Sequence, residues 1–275
     1  MPELPEVETV RRGLTPHMTS RVVRDVRVRV PALRWPIPAD LSECIRGEAV
    51  HQVWRRGKYL LIEFSSGWML IHLGMSGSLR WVDPQVPVRK HDHLDLVFDH
   101  GLVRLHDPRR FGAVLWHDRS AGPVDSHPLL AKLGLEPLSA TAEQIGHHLF
   151  AGTRERRSSI KTVLLAGELV VGAGNIYACE SLFRAQIHPA TRAGRISRAR
   201  YQRLAVAVRD TLSDALARGG STLKDFVSSD GASGYFQIDA LVYGREGLTC
   251  RRCTGTIRRI VQQQRASFYC PGCQH

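Results

Sequence analysis

The first six residues, MPELPE, hold the groups best suited to covalent chemistry. Removal of Met1 would leave Pro2 with a free secondary amine, followed within four residues by the carboxylates of Glu3 and Glu6. Such an amine attacks an aldehyde-like carbon to give an iminium ion, and adjacent carboxylates can move the protons. An α-amino group titrates near ~8 against ~10.4 for lysine, so its unprotonated fraction at neutral pH is roughly a hundredfold larger. A secondary amine, and ionised Glu3 or Glu6, would raise that value, so the site must depress it by other means. The same stretch has a structural reading. Pro5 starts a short amphipathic helix over 5–13 that ends at Gly13, with the glutamates at its positive end. The two readings are compatible.

A second constellation lies at the other end. Cys250-x2-Cys253 and Cys270-x2-Cys273 are separated by sixteen residues, a zinc spacing. Four thiolates close a tetrahedral shell and leave no position for water or substrate, so the expected ion is one structural zinc. The β-prone segment between the pairs carries Arg258, Arg259 and Arg265. A zinc ribbon of this kind presents arginines to a phosphate backbone. Cys44 and Cys179 fall outside the pattern and are expected to be buried free thiols.

Thirty-eight lysines and arginines against 26 acidic residues give a formal charge of +12, which makes a polyanion the expected partner. No stretch approaches the ~20 apolar residues of a membrane span, and the start lacks a signal-peptide layout. A cytosolic protein with no membrane partner is expected. Three loops could meet a nucleic acid. RRGK at 55–58 sets cations just before a strand. GMSG at 74–77 is a turn that pushes Met75 outward. DPRRFG at 107–112 presents Arg109, Arg110 and Phe111. Met75, Arg109 and Phe111 form a wedge set, since apolar side chains can part base steps and an arginine can bond an orphaned base. Arg110 suits a phosphate. KHDH at 90–93 offers ligand types without a third ligand at usable spacing, so no metal is expected there. His72 reads as a buried, hydrogen-bonded structural histidine. VVGAGN at 170–175 runs into a helix, whose N-terminal N–H groups suit a phosphate. The glycine-rich SSDGASGYF at 228–236 has no regular period.

PELPEVETVRRGL, DPRRFG, GNIYACESLF and the terminal cysteine pairs, in this order, resemble the bacterial formamidopyrimidine-DNA glycosylase family, repair enzymes that remove oxidised purines. The resemblance implies that Pro2 forms a Schiff base at C1′ of the sugar, that Glu3 assists by proton transfer, and that Glu6 orients the site. It implies β and δ eliminations, with Lys58 contacting a phosphate and donating a proton and Arg265 holding the lesion's phosphates. Arg109 would contact the orphaned cytosine beside Met75 and Phe111. His91 would contact DNA, Asn175 would be a phosphate ligand, and Lys161 and Arg156 would extend that basic track. Arg156 lies in ERRS, which differs from the commoner lysine-rich run. Residues 228–236 would form a lid over the extruded base. The partner implied is damaged double-stranded DNA, bound by a monomer in the bacterial cytoplasm at the nucleoid. The alternatives are an oxidised-pyrimidine glycosylase of the same superfamily, a non-catalytic damage-binding protein and, more remotely, a zinc-ribbon transcription factor.

These residues need a scaffold. Alternating or short apolar runs at 22–30, 59–64, 68–73, 79–82, 93–98, 102–105 and 113–116 read as strands. From residue 140 helical spacing takes over, with helices at 160–166, 176–186 and 197–218, the last capped by Ser197. The expected fold is α+β: an N-terminal antiparallel β-sandwich with flanking helices, then a helical domain with a helix–two-turn–helix and a C-terminal zinc ribbon. The expected boundaries are 1–120 for the catalytic sandwich, 121–139 for a linker, 140–235 for the helical DNA-binding domain and 236–275 for the ribbon.

Overall fold

The computed structural model describes residues 2–219 and 240–275. They form two compact units, 2–131 and 132–218 with 240–275. The lid expected at 228–236 lies outside the described residues.

The first unit opens with α1 (Leu4–Met18), followed by β1 (Asp25–Val28), α2 (Leu41–Ile45), β2 (Gln52–Arg56), β3 (Tyr59–Glu63), β4 (Gly67–His72), β5 (Ser78–Val82), β6 (Asp92–Phe98), β7 (Gly101–His106) and β8 (Ala113–Asp118). The strands make two antiparallel four-stranded sheets, ordered β1-β6-β7-β5 and β2-β3-β4-β8. One apolar core joins them. Ile62, Met69, Ile71 and Val114 come from one sheet, Leu94, Leu96, Val103 and Leu105 from the other. This is the expected sandwich, and α1 flanks it with Val7, Val10, Leu14 and Met18 in the same core.

Helix α1 differs from the expected 5–13. It starts at Leu4, with Pro5 in its first turn rather than leading it, and it runs through Gly13 to Met18. Glycine costs ~1 kcal/mol against alanine inside a helix. Complete burial of Leu14 and Met18 contributes about 1.5–3 kcal/mol each, which outweighs that cost. A second difference concerns RRGK. Arg55 and Arg56 belong to β2, and Gly57-Lys58 form the two-residue turn into β3, closed by the pair Arg56↔Tyr59. Gly57 at φ +59 supplies the positive φ that such a turn takes at its first position.

The second unit contains α3 (Ala142–Thr153), α4 (Ile160–Ala166), α5 (Asn175–Arg184), α6 (Arg198–Ala217), β9 (Arg258–Gln262) and β10 (Arg265–Tyr269). The start signals are local. Thr141 and Gln144 form a capping box on α3, Ser159 Oγ accepts the Thr162 N–H on α4, and Ser197 Oγ accepts the Arg200 N–H on α6. Gly167 ends α4 in the left-handed region at φ +72, where glycine has no Cβ penalty. The expected apolar face of α5 is present, but Ile176 to Phe183 are buried all round. Cys179 and Phe183 pack beneath the ribbon with Val242, Ile257, Cys250, Cys270 and Cys273. Among the described residues, no helix is long and apolar enough to cross a membrane.

Candidate active site, nucleic-acid interface and metal centre

At the start of α1 the sequence places two acids one turn apart, and the helix brings them together. Glu3 is the N-cap, and the Glu6 carboxylate accepts the Glu3 N–H at 2.8 Å within a capping box. Pro2, Glu3 and Glu6 are all buried. The unpaired N–H groups and positive end of a helix favour carboxylates here, so two acids can stay buried beside Pro2 without being driven out to solvent.

One turn further on, Glu8 performs a task the sequence did not announce. Its carboxylate accepts from Arg11 at 2.8 and 2.9 Å, from Arg12 at 3.0 Å and from Arg55 on β2 at 3.1 Å. Burial opposes its charge, but the arginines prevail and hold its pKa at about 2. Arg55 also donates to the Gly57 carbonyl at 2.9 Å. A continuous chain of bonds thus runs from α1 to the turn that carries half-buried Lys58.

His72, at the end of β4, accepts the Gly74 N–H on Nδ1 at 3.0 Å. Burial, with the nearby charges of Lys58 and Arg34, brings its pKa down to about 4. It is hydrogen-bonded as expected, but half-buried rather than fully buried. Arg34, never singled out in the sequence, belongs to the same cationic corner as Lys58.

Met75, Arg109 and Phe111, the residues of the expected wedge set, lie on two loops in contact. Met75 and Phe111 are 42% and 44% exposed, large apolar side chains in a unit whose other apolar groups mostly face the core. Arg109 lies over the Phe111 ring, 4.7 Å from its centroid, and Arg110 is exposed beside them. The loops are pressed together: a Cβ on Gly74 would fall 2.4 Å from the Phe111 carbonyl carbon. His91, at φ +76, leads into β6. Burial first, then Lys90, His106, His93 and Arg110, hold its pKa below the usual histidine value. The neighbouring KHDH groups are occupied within the protein: Asp92 bonds His106 at 2.8 Å and His93 bonds the Asp107 carbonyl at 2.9 Å.

In the second unit, Arg265 begins β10 and is exposed. The preceding two-residue turn has Gln263 at φ +47 and Gln264 at φ +59. This turn shape is normally filled by Asn-Gly, so the hairpin holds strain directly before Arg265. Asn175, the first residue of α5, donates to the Ala266 carbonyl at 3.0 Å, and its amide retains a second N–H. Arg156 is partly exposed and paired with Glu168 at 3.0 Å.

Lys161 lies inside the fold. It is 1% exposed, and its ammonium donates to the Ala266 carbonyl at 2.8 Å and to Ser267 Oγ at 2.7 Å. It does not extend a surface track with Arg156. Desolvating an ammonium is tolerated when such bonds satisfy it, and here they fasten the β9–β10 hairpin to α4. Helical spacing marked position 161 as basic but not as inward-facing.

Cys250, Cys253, Cys270 and Cys273 place their sulfurs within 4.8 Å of one another. The Cys250–Cys273 and Cys253–Cys270 separations are 3.9 and 3.4 Å. A tetrahedral ZnS4 shell with bonds of ~2.3 Å has sulfurs about 3.8 Å apart, so the donors fit zinc. A Cβ on Gly272 would lie 3.2 Å from Cys253 Sγ, so a side chain there would press on a ligand sulfur.

Three family models match: the formamidopyrimidine-DNA glycosylase N-terminal domain over residues 1–114, the H2TH domain of the same proteins over 133–227, and the zinc finger found in FPG and IleRS over 247–275. Proteins named formamidopyrimidine-DNA glycosylase from Burkholderia thailandensis and Paraburkholderia phytofirmans are each 58% identical, over 100% of both chains. The MutM (Fpg) crystal structure from Thermus thermophilus is 38% identical with a TM-score of 0.88, covering 99% of this chain and 98% of that one. Lactococcus lactis Fpg in complex with abasic-site DNA is 31% identical with a TM-score of 0.89, covering 99% of each chain. With three domain models in order and relatives matching from end to end, this chain belongs to the formamidopyrimidine-DNA glycosylase family.

Proposed function

We propose that the protein is a bifunctional DNA glycosylase and abasic-site lyase that excises oxidised purines, such as 8-oxoguanine and formamidopyrimidines, from duplex DNA. The observation that carries this reading is the burial of Pro2, Glu3 and Glu6 together at the start of α1, with the Lys58 turn tied to that helix through Glu8 and Arg55. Met1 is cleaved, and the Pro2 nitrogen attacks C1′ while the base leaves with the glycosidic electron pair. Glu3 transfers a proton at the opening sugar, and Glu6 fixes the helix turn that carries it. The resulting iminium acidifies C2′, whose proton loss expels the 3′ phosphate. A second elimination expels the 5′ phosphate, with Lys58 and Arg265 at the phosphates.

Met75, Arg109 and Phe111 fill the gap left by the extruded base, and Arg110, His91, Asn175 and Arg156 meet the backbone. Cys250, Cys253, Cys270 and Cys273 hold one zinc ion, which fixes the ribbon and takes no part in the chemistry. The proposed boundaries are 1–120 for the catalytic sandwich, 121–139 for a linker, 140–235 for the helical DNA-binding domain and 236–275 for the ribbon, with DNA contacts from the sandwich and the ribbon as well. The protein acts as a monomer in the bacterial cytoplasm, at the nucleoid.

Borohydride trapping on lesion duplex, with the adduct mapped by mass spectrometry, tests the reading. An adduct on Pro2 supports it; an adduct elsewhere, or none from processed protein, sinks it. Paired excision assays on 8-oxoguanine and thymine-glycol duplexes separate purine from pyrimidine preference.

A further inference from the structure

Asp107 is fully buried, and its bonds converge on the two loops that carry Met75 and Phe111 and on the segment that carries His91. Its N–H donates to the His91 carbonyl at 3.0 Å, and its own carbonyl accepts from Arg110 N–H at 3.2 Å and bonds the His93 ring at 2.9 Å. Its carboxylate joins the two loops. Oδ1 accepts from Ser76 Oγ at 3.1 Å, next to Met75, and Oδ2 accepts from Gly112 N–H at 2.8 Å, next to Phe111. Asp107 is 0% and Ser76 3% exposed. Neither is exposed, yet Ser76 adjoins Met75 and Asp107 lies two residues from Arg109.

We propose that Asp107, acting through Ser76, is a positioning residue that holds Met75, Arg109 and Phe111 as one rigid wedge before DNA arrives. The reason is energetic. Parting a base step costs a few kcal/mol, and side chains that must first be ordered offset less of it than side chains already in place. Met75 and Phe111 sit on separate loops joined to different strands, and neither has a buried side chain to fix it. The buried carboxylate between them couples their positions. A buried carboxylate bonded to a hydroxyl and a backbone N–H resists rotation, because losing either donor leaves it desolvated and under-satisfied. The inference rests on the glycosylase reading and predicts a division between substrates. A stacked, oxidised purine needs the wedge to leave the helix. A preformed abasic site has no base to unstack and depends on it less.

Ser76→Ala removes the link between the loops and leaves the Asp107–Gly112 bond in place. Single-turnover excision of 8-oxoguanine from duplex should slow by about tenfold or more, because unstacking is the step affected. Strand cleavage at a preformed abasic site should stay within about twofold, since the covalent machinery is untouched. Asp107→Asn can still accept from Gly112 and donate to Ser76, so it should stay within about threefold of wild type on both substrates. Equal slowing on both substrates would show general damage and overturn the proposal, as would normal excision by Ser76→Ala, or an Asp107→Asn enzyme as slow as Ser76→Ala. A wild-type protein that cleaves neither substrate would instead remove the glycosylase reading, and the proposal with it.

Discussion

Glu8 and Arg55 meet at 3.1 Å, each with only 9% of its side chain exposed. Their contact fastens the helix that carries Pro2, Glu3 and Glu6 to the strand that ends at the Lys58 turn. Arg55 also donates to the Gly57 carbonyl, so one guanidinium joins the first turns of α1 to the β2–β3 turn and restrains their separation.

Glu8 has a folded pKa of about 2 against an ordinary 4.5. A depressed carboxylate contributes stability above its unfolded pKa and loses it as pH falls toward the folded one. Glu8→Gln should therefore be less stable than wild type by about 2–3 kcal/mol at pH 7. The gap should close as pH drops from 4.5 to about 2, which urea unfolding of both proteins across that range would show. A gap that stays constant with pH would mean that the Glu8 charge does not stabilise the fold.

His72 responds in a different window. Its folded pKa is about 4 against 6.5, so the folded state resists a proton that the unfolded chain accepts. Stability from this group is complete above 6.5 and is lost between 6.5 and 4, on the order of 2–3 kcal/mol. His72→Gln should flatten the stability profile in that interval and leave the Glu8 interval unchanged. The pH–rate profile of wild type should show no His72 inflection near 6.5.

Lys161 and Arg265 are both cations of the second unit, and their variants should separate. Arg265→Ala should weaken DNA binding and reduce the salt slope of log K by about one unit. Lys161→Met should keep that slope and instead lower stability by about 1–3 kcal/mol, because Lys161 bonds the ribbon hairpin from within. An unchanged slope for Arg265→Ala would take that residue off the phosphate.

The glutamine pair in the ribbon turn invites a stabilising change. Gln264→Gly relieves a positive φ of 59° that costs a side chain about 1 kcal/mol. It should raise the midpoint of thermal unfolding while keeping one zinc per chain by elemental analysis. Chelation of that zinc should release the hairpin and abolish DNA binding, since the free energy of binding the ion is what holds the two knuckles together.

The chemistry was legible where it is written locally. The CxxC pairs fix ligand number and spacing in a few residues, Ser197 caps its helix through its own neighbours, and glycines at 57, 74 and 167 mark turns that no other residue fits easily. The acidic start, the exposed loops and the strand pattern are likewise properties of short stretches. What the sequence hid depends on partners far apart in the chain. Glu8 and Arg55 are 47 residues apart, Ser76 and Asp107 are 31 apart, and Lys161 reaches Ala266 across 105. Nothing near a lysine in sequence tells whether its ammonium will meet water or a carbonyl.

The chain alone therefore determined the fold class and the metal ligands, because propensity, capping and ligand spacing act within a turn or two. Tertiary structure alone decided which charges point inward, how α1 is locked to the Lys58 turn and how the 74–77 and 107–112 loops are joined through Asp107. Those outcomes follow from burial, which assigns each polar group a partner or excludes it from the interior, and burial is a property of the packed whole.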